Sequence, residues 1–363
     1  MEKLKSILML ILISGLFILC SGNVYGVAGD ADGSGNIDLK DAVLVLQICA
    51  EMNPASGVSV SADVNGDARI GTEEAAFILQ AAAGIRELSV SFPDENLEAV
   101  IREAINKPTG DIPESDLQGL TELDAGMKGI ENIEGLQYCT KLDQLDLSSN
   151  GISDISTVAG LTNLTELRLY NNEISDISAV AGLTNLTVLR LYNNRISDII
   201  AVAGLTNLTE LRLHNNEISD ISAVAGLANL TVLNLHNNEI SDISAVAGLT
   251  NLTELRLSDN GISDISALAG LDNLEELYLF GNRISDIKPL ADNIGIGGND
   301  TVMFYSSYTE GSNPLSTTSC TVYIPQLQDR GVTVGHNCSS SVIFPDENLE
   351  AVIREAINKP TGE

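Results

Sequence analysis

Two twelve-residue runs near the start of the chain place oxygen donors at the spacing a hard divalent cation needs. In DADGSGNIDLKD, residues 30–41, Asp30, Asp32 and Ser34 fill positions 1, 3 and 5, and Asn36 offers its carbonyl at 7. Asp38 acts at position 9 and Asp41 closes the loop at 12, while Gly35 takes the sharp turn and Ile37 points to a core. In DVNGDARIGTEE, residues 63–74, the same places go to Asp63, Asn65, Asp67, the Arg69 carbonyl and Glu74, with Ile70 inward. An amphipathic helix is predicted after each loop, over 39–50 and 72–83, both ending LQ-x-x-A. Calcium is therefore the expected cofactor. Ala68 replaces glycine at position 6 of the second loop. A left-handed alanine costs about 1–2 kcal/mol, so that site is expected to be the weaker.

Other chemistry is thin. His214 and His236 stand 22 residues apart and could begin a zinc site, which Tyr192 or Ser258 would have to complete; the other reading is ordinary contact residues. HExxH, GxSxG and phosphate-loop patterns are absent, and Gly295, Gly297 and Gly298 lack the spacing and the lysine for phosphate. No enzyme is expected.

The rest of the chain is organised by one repeated unit. LTNLTELRLYNNEISDISAVAG, residues 161–182, returns every 22 residues, with turn asparagines at Asn150, Asn172, Asn194, Asn216, Asn238, Asn260 and Asn282. Leu-x-x-Leu-x-Leu-x-x-Asn at this period is the signature of a leucine-rich-repeat array. Each rung predicts a strand such as 166–170, with Leu167 and Leu169 inward, a turn at Asn172, and Ile174, Ile177, Val180 and Leu183 on the convex side. The row Asp154, Asp176, Asp198, Asp220, Asp242, Asp264 and Asp286 reads as N-caps of short convex turns. The Asn-Leu-Thr triplets from Asn163 to Asn251 match a glycosylation pattern but are by-products of the repeat. The fold class is α/β: a solenoid of 22-residue rungs with parallel strands on the concave face, preceded by a small all-α calcium-loop domain.

The copies agree at inward positions and differ at outward ones. Three outward rows carry Glu166, Glu210 and Glu254, then Arg168, Arg190, Arg212, Arg256 and Tyr278, then Tyr170, Tyr192, His214, His236 and Phe280. Arginine and tyrosine dominate binding hot spots, so this face is expected to hold a protein ligand. A solvated face that drifted free of packing restraint is the alternative.

The ends complete the layout. Lys3 and Lys5 precede an apolar run from Ile7 to Cys20, too short for a comfortable span, so 1–26 reads as a secretory signal cut near Gly26. Cys20 raises a lipoprotein alternative, although Leu19 before it is bulky for that motif. The calcium-loop domain takes 27–86, a cap and divergent repeat 91–135, the array 136–292, and a closing repeat 293–341. Over 92–109 an amphipathic helix is predicted, with Leu97, Val100, Ala104 and Ile105 on one face. Residues 344–362 repeat 92–110 letter for letter, so 342–363 reads as an orphan cap, truncated or leading into a second array, and as a poorly anchored helix. Export permits disulfides. Cys320–Cys338 is the expected pair, Cys139 packs as a small apolar residue, and Cys49 has no obvious partner.

With a net charge of −31, nucleic acid is a poor partner; with 44% hydrophobic residues the chain folds. No tryptophan and 4% aromatics argue against a stacking platform for sugars. The loops over 28–85 resemble a dockerin, the tandem EF-hand-type module that docks onto cohesins, which implies a cohesin-bearing scaffold and links to polysaccharide catabolism. At loop positions 10 and 11, where many dockerins carry Ser-Thr, the chain has Leu39-Lys40 and Thr72-Glu73. Residues 91–334 resemble the internalin-type bacterial repeats, which implies a secreted or cell-surface, non-enzymatic monomer binding protein on its concave face. The competing reading is a structural adhesin in which the calcium domain is a folded spacer.

Overall fold

The computed structural model describes residues 89–305 and 313–338, together with Ile18, Leu19, Lys40, Asp41, Leu44, Val45, Arg69 and Ile70. The chain divides into two compact units, Met1–Ser91 with Lys107–Gly119, and Phe92–Asn106 with Leu120–Glu363. In the first unit, Lys40, Asp41, Leu44 and Val45 are helical, and Asp41, Leu44 and Val45 are buried. Arg69–Ile70 pairs antiparallel with Ile18–Leu19. Ser89 bridges Pro113, the Val90 N–H donates to the Ile112 carbonyl at 2.7 Å, and a short helix spans Glu114–Leu117. Cys49 and the orphan cap lie outside the described residues.

The second unit begins with α1, Glu95–Ala104. Asp94 is its N-cap, and its side chain accepts from the Asn96 and Leu97 N–H groups. The buried face is Leu97, Val100 and Ile101. This corrects the predicted face: Ala104, the last residue of the helix, is exposed and Ile105, its C-cap, is half-buried, because the helix ends there and no further turn follows to cover them.

Ten parallel strands follow in chain order, each paired only with its neighbours. They are β1 Glu122–Asp124, β2 Gln144–Asp146, β3 Glu166–Arg168, β4 Val188–Arg190, β5 Glu210–Arg212, β6 Val232–Asn234, β7 Glu254–Arg256, β8 Glu276–Tyr278, β9 Thr301–Met303 and β10 Thr333–Gly335. Strand alternation sends Leu123, Leu145, Leu167, Leu189, Leu211, Leu233, Leu255, Leu277, Val302 and Val334 inward as one in-register column. The predicted strand 166–170 is three residues long, Glu166–Arg168, although Leu169 continues the ladder by donating to Arg190 at 2.9 Å. On the other side, 3₁₀ turns such as Ser178–Gly182 bury Val180, and Ile174, Ile177 and Leu183 are buried beside them.

The turn asparagines work between rungs. Asn172 Nδ2 donates to Leu169 of its own rung at 3.1 Å and to Leu147 of the rung before at 3.0 Å, and its Oδ1 accepts from the Ile152 N–H at 3.0 Å. The turn belongs instead to the residue before: Ser149, Asn171, Asn193, Asn215, Asn237 and Asp259 all have φ between 51° and 56°. Asparagine tolerates that left-handed region because its short amide bonds locally. A second ladder runs through the Asn-Leu-Thr triplets, where Asn185 Nδ2 donates to Thr162 at 2.9 Å and Asn207 to Thr184 at 2.8 Å. The aspartate row caps as predicted in kind but one residue earlier: Asp176 precedes the N-cap Ile177 and accepts from the Ser178 N–H at 2.7 Å.

Past the last regular repeat, α2, Lys288–Asp292, leads into β9, and α3, Ile324–Asp329, leads into β10. Both strands add to the sheet beyond the expected array end. In the glycine-rich insertion, a Cβ on Gly295 would lie 2.4 Å from Asp272 Cα, so the close approach admits only glycine. Arg330 donates to the Leu290 and Asn293 carbonyls and closes the C-terminal end of α2. Cys320 and Cys338 form the expected disulfide, separated by 18 residues. Cys139 is buried, which pushes its thiol up to about 12. Replacing both bonded cysteines by serine should cost about 2–3 kcal/mol. The loss should show as faster exchange of the Phe304 amide, which donates to Gly335 at 2.7 Å. Unchanged exchange at the last two strands would contradict this.

Candidate binding face

The strand register sets the outward rows side by side. Glu166, Arg168, Arg190, Arg212, Arg256 and Tyr278 sit at strand positions, and Tyr170, Tyr192, His214, His236 and Phe280 two residues beyond. All are half-buried and share the sheet face opposite the core. Each arginine is held by carboxylates. Arg168 Nε meets Glu166 at 2.7 Å, Arg190 Nε meets Glu210 at 2.7 Å, Arg212 Nε meets Glu210 at 2.6 Å, and Arg256 Nε meets Glu254 at 2.5 Å. The hydrogen bond it donates to Glu166 raises the Arg168 guanidinium above its usual range, and the one donated to Glu210 does the same for Arg190. Burial would push Glu210 up, but Arg190 and Arg212 outweigh it and hold the carboxyl low. These positions are fixed, charged and internally neutralised.

The third row is a stack. The Tyr170 and Tyr192 rings lie 4.4 Å apart at 6°, and Tyr192 and His214 lie 4.2 Å apart at 11°. Two rungs further, the His236 and Phe280 rings lean to 6.1 Å and 56°, over the small Ser258, which is 1% exposed. Arg256 lies 4.4 Å over the Tyr278 ring. Ring faces are spent on each other, so edges and hydroxyls are what the stack offers a partner.

Burial, then His236, Arg212 and Arg256, push His214 down to about 4. His236 Nδ1 is 3.4 Å from Asp259 without the alignment of a hydrogen bond, and burial raises the Asp259 carboxyl. No three His, Cys, Asp or Glu side chains converge on a metal position among the described residues, so the zinc reading of the histidine pair gains no third ligand. The histidine does bear on stability. Unfolded His214 takes up its proton near 6.5 and folded His214 only near 4, so the unfolded state binds more protons between those values and stability falls as pH drops across them. A full conversion of that difference is about 3 kcal/mol; the ring is partly open to water, so we expect about 1 kcal/mol. His214→Phe should flatten this part of the pH–stability profile, and parallel profiles for the two proteins would refute the assignment.

Of the calcium ligands, Asp41 and Arg69 fall among the described residues; Asp30, Asp32, Ser34, Asn36, Asp38, Asp63, Asn65, Asp67 and Glu74 lie outside them. Asp41 is buried in a helical segment. The face also holds residues that the pattern did not single out. Asp259 enters as neighbour of His236, and Asn171, Asn193, Asn215 and Asn237 join side chain to side chain along the edge of the face. The doubled asparagine in each repeat was their signal.

Leucine-rich-repeat models match residues 138–156, 162–204, 206–248 and 250–292. Curated proteins give no match. Among solved structures, internalin C2 of Listeria monocytogenes is 42% identical over 56% of this chain and 91% of its own, with a TM-score of 0.54. Internalin InlF of the same organism is 32% identical over 69% of this chain and 78% of its own, with a TM-score of 0.60. A cap helix tied to the first rung, an asparagine ladder through ISDIS-type rungs and these likenesses agree: the chain belongs to the internalin group of leucine-rich-repeat proteins.

Proposed function

We propose that the protein is a secreted or cell-surface binding protein that holds a protein ligand on the exposed, concave face of its sheet, without enzymatic chemistry. One observation carries this reading. Arg168, Arg190, Arg212 and Arg256 are locked by carboxylates beside a stack of rings, on positions the core does not need. Such rigid arginine and aromatic side chains lose little entropy on binding. The Cys320–Cys338 disulfide supports an oxidising destination. No helix among the described residues is long and apolar enough to cross a membrane. A photo-cross-linker at residue 192 should trap a partner from a cell-surface fraction, and one at residue 220, on the convex side, should not; equal trapping would sink the reading.

The same proposal gives residues 28–86 a docking role: calcium orders the two loops, and the ordered module engages a cohesin-bearing scaffold, with a link to polysaccharide catabolism. The spacing of Asp30 to Asp41 and Asp63 to Glu74 supports it. Calcium titration of the full chain should give two events, the second loop weaker by about tenfold through Ala68. Two equal sites, or none, would count against it.

A further inference from the structure

The binding face changes character along the stack. Around β1 to β3, Glu122, Asp124, Asp146 and Glu166 line a cavity of about 100 Å³ in which Arg168 is the cation. Arg168 is bound to Asp146 and Glu166, so negative charge is in excess there. In the middle, Arg190 and Arg212 answer Glu166 and Glu210. At the far end, Tyr278, Phe280 and Met303 are half-buried and Tyr305 is 39% exposed, an apolar strip on β8 and β9.

A third feature joins the two ends. His214 Nδ1, His236 Nδ1 and Ser258 Oγ, on three consecutive rungs of the third row, are buried without a hydrogen-bond partner. Ser258 is 1% exposed, and it follows the inward Leu257, so its side chain belongs to the binding face. Buried polar atoms in native proteins are rarely left unmatched, so a row of three calls for hydrogen-bonding groups that the chain itself does not supply.

We infer that the ligand is a protein segment lying across the strands in one direction, cationic over β1–β3 and apolar over β8–β9. Its main chain runs over the row of His214, His236 and Ser258. The inference rests on the reading of this face as the binding site and adds the chemistry and polarity of the partner. Strands about 4.8 Å apart put roughly 38 Å between β1 and β9. At about 3.3 Å per extended residue, about twelve residues span it. A cation meets the excess carboxylates, and an apolar side chain covers Phe280 and Met303; a segment of opposite order would bring apolar groups to charge and charge to the rings.

The test is selection of random peptides of about fifteen residues, displayed on phage, against the full chain. Selected peptides are then labelled and titrated by fluorescence anisotropy. We expect Lys or Arg toward one end of the selected sequences and large apolar residues toward the other. Asp124→Asn with Asp146→Asn keeps the Oδ1 acceptors that hold the Gly126 and Ser148 N–H groups; besides the two charges it gives up only the 3.3 Å contact between Asp146 and Arg168, which Glu166 still holds. That variant should weaken binding about tenfold at low salt and much less at high salt. Tyr278→Ala should weaken it at both, and Asp220→Asn with Asp242→Asn, on the convex side, at neither. Peptides that depend on Tyr192 but carry no such order, or that tolerate the Asp124/Asp146 change at low salt, overturn the inference alone. Peptides indifferent to Arg190→Ala and Tyr192→Ala, or no selected peptides, overturn the binding-face reading with it.

Discussion

Asn194→Ala should destabilise the protein by about 2–4 kcal/mol, more than any substitution on the binding face. Asn194 Nδ2 donates to Leu191 at 2.9 Å and to Leu169 at 3.0 Å, and Oδ1 accepts from the Ile174 N–H at 3.0 Å. Alanine leaves the Ile174 N–H without a partner between packed rungs, at about 1–3 kcal/mol, and takes one of two donors from each carbonyl, since Asn172 still reaches Leu169 and Asn216 still reaches Leu191. The three partners sit on two rungs, so the loss uncouples neighbours in a fold held together by neighbour contacts. Urea unfolding should show a lower midpoint and a shallower slope as the array splits. Asn193→Ala, one residue earlier, is the control. Its side-chain amide bonds only to exposed Asn171 and half-buried Asn215, and its left-handed backbone should cost alanine about 1 kcal/mol. Equal effects at the two positions would overturn this account of the ladder.

Asp94→Ala should cost about 3–4 kcal/mol, confined to the first rungs. One carboxylate accepts four backbone N–H groups: Asn96 and Leu97 at 3.0 and 3.1 Å through Oδ1, and Glu131 and Asn132 at 2.8 and 3.1 Å through Oδ2. It caps α1 and at the same time fastens α1 to the first rung. Charge-assisted bonds of this kind are worth more than neutral ones, and alanine removes all four. Burial pushes the Asp94 carboxyl up, but the four N–H groups prevail and hold it below its ordinary 3.8. Its contribution is therefore complete above that value and is lost as pH falls through the lower folded one. Hydrogen exchange should quicken at Ala125 and Leu123 while the amides near Leu211 stay protected. Uniform quickening along the array would show that Asp94 acts globally, contrary to this view.

Much of this was legible from periodicity. The inward leucines and the neighbouring outward rows follow from a side-chain period of two and a repeat period of 22, the cap from an amphipathic helix placed before the first rung, and the Cys320–Cys338 pair from two cysteines flanking one terminal element of an exported chain. What stayed hidden depends on the rung behind. Asn171 and Asn172 look interchangeable in sequence, yet one takes the left-handed turn and the other the buried ladder. Asn163 and its copies looked incidental because their acceptors lie 23 residues back. Asn313 falls off the period altogether, yet its Oδ1 accepts from the Ile284 N–H at 2.9 Å and its Nδ2 reaches Leu279 at 2.8 Å. Spacing could not find it. The cavity among Glu122, Asp124 and Asp146 escaped for a related reason, since Glu122 and Asp124 belong to a divergent copy ahead of the regular array and only Asp146 falls on its outward rows.

Each ladder asparagine is anchored in its own rung and closes the turn of its predecessor, never of its successor. Inserting one more 22-residue copy anywhere between Asn150 and Asn282 brings closure for the older unit upstream and receives it from the one downstream. Such a chain can lengthen its gripping surface by gene duplication without inventing a new joint. The borrowed Asn313 is the single stopper that every such lengthening leaves untouched.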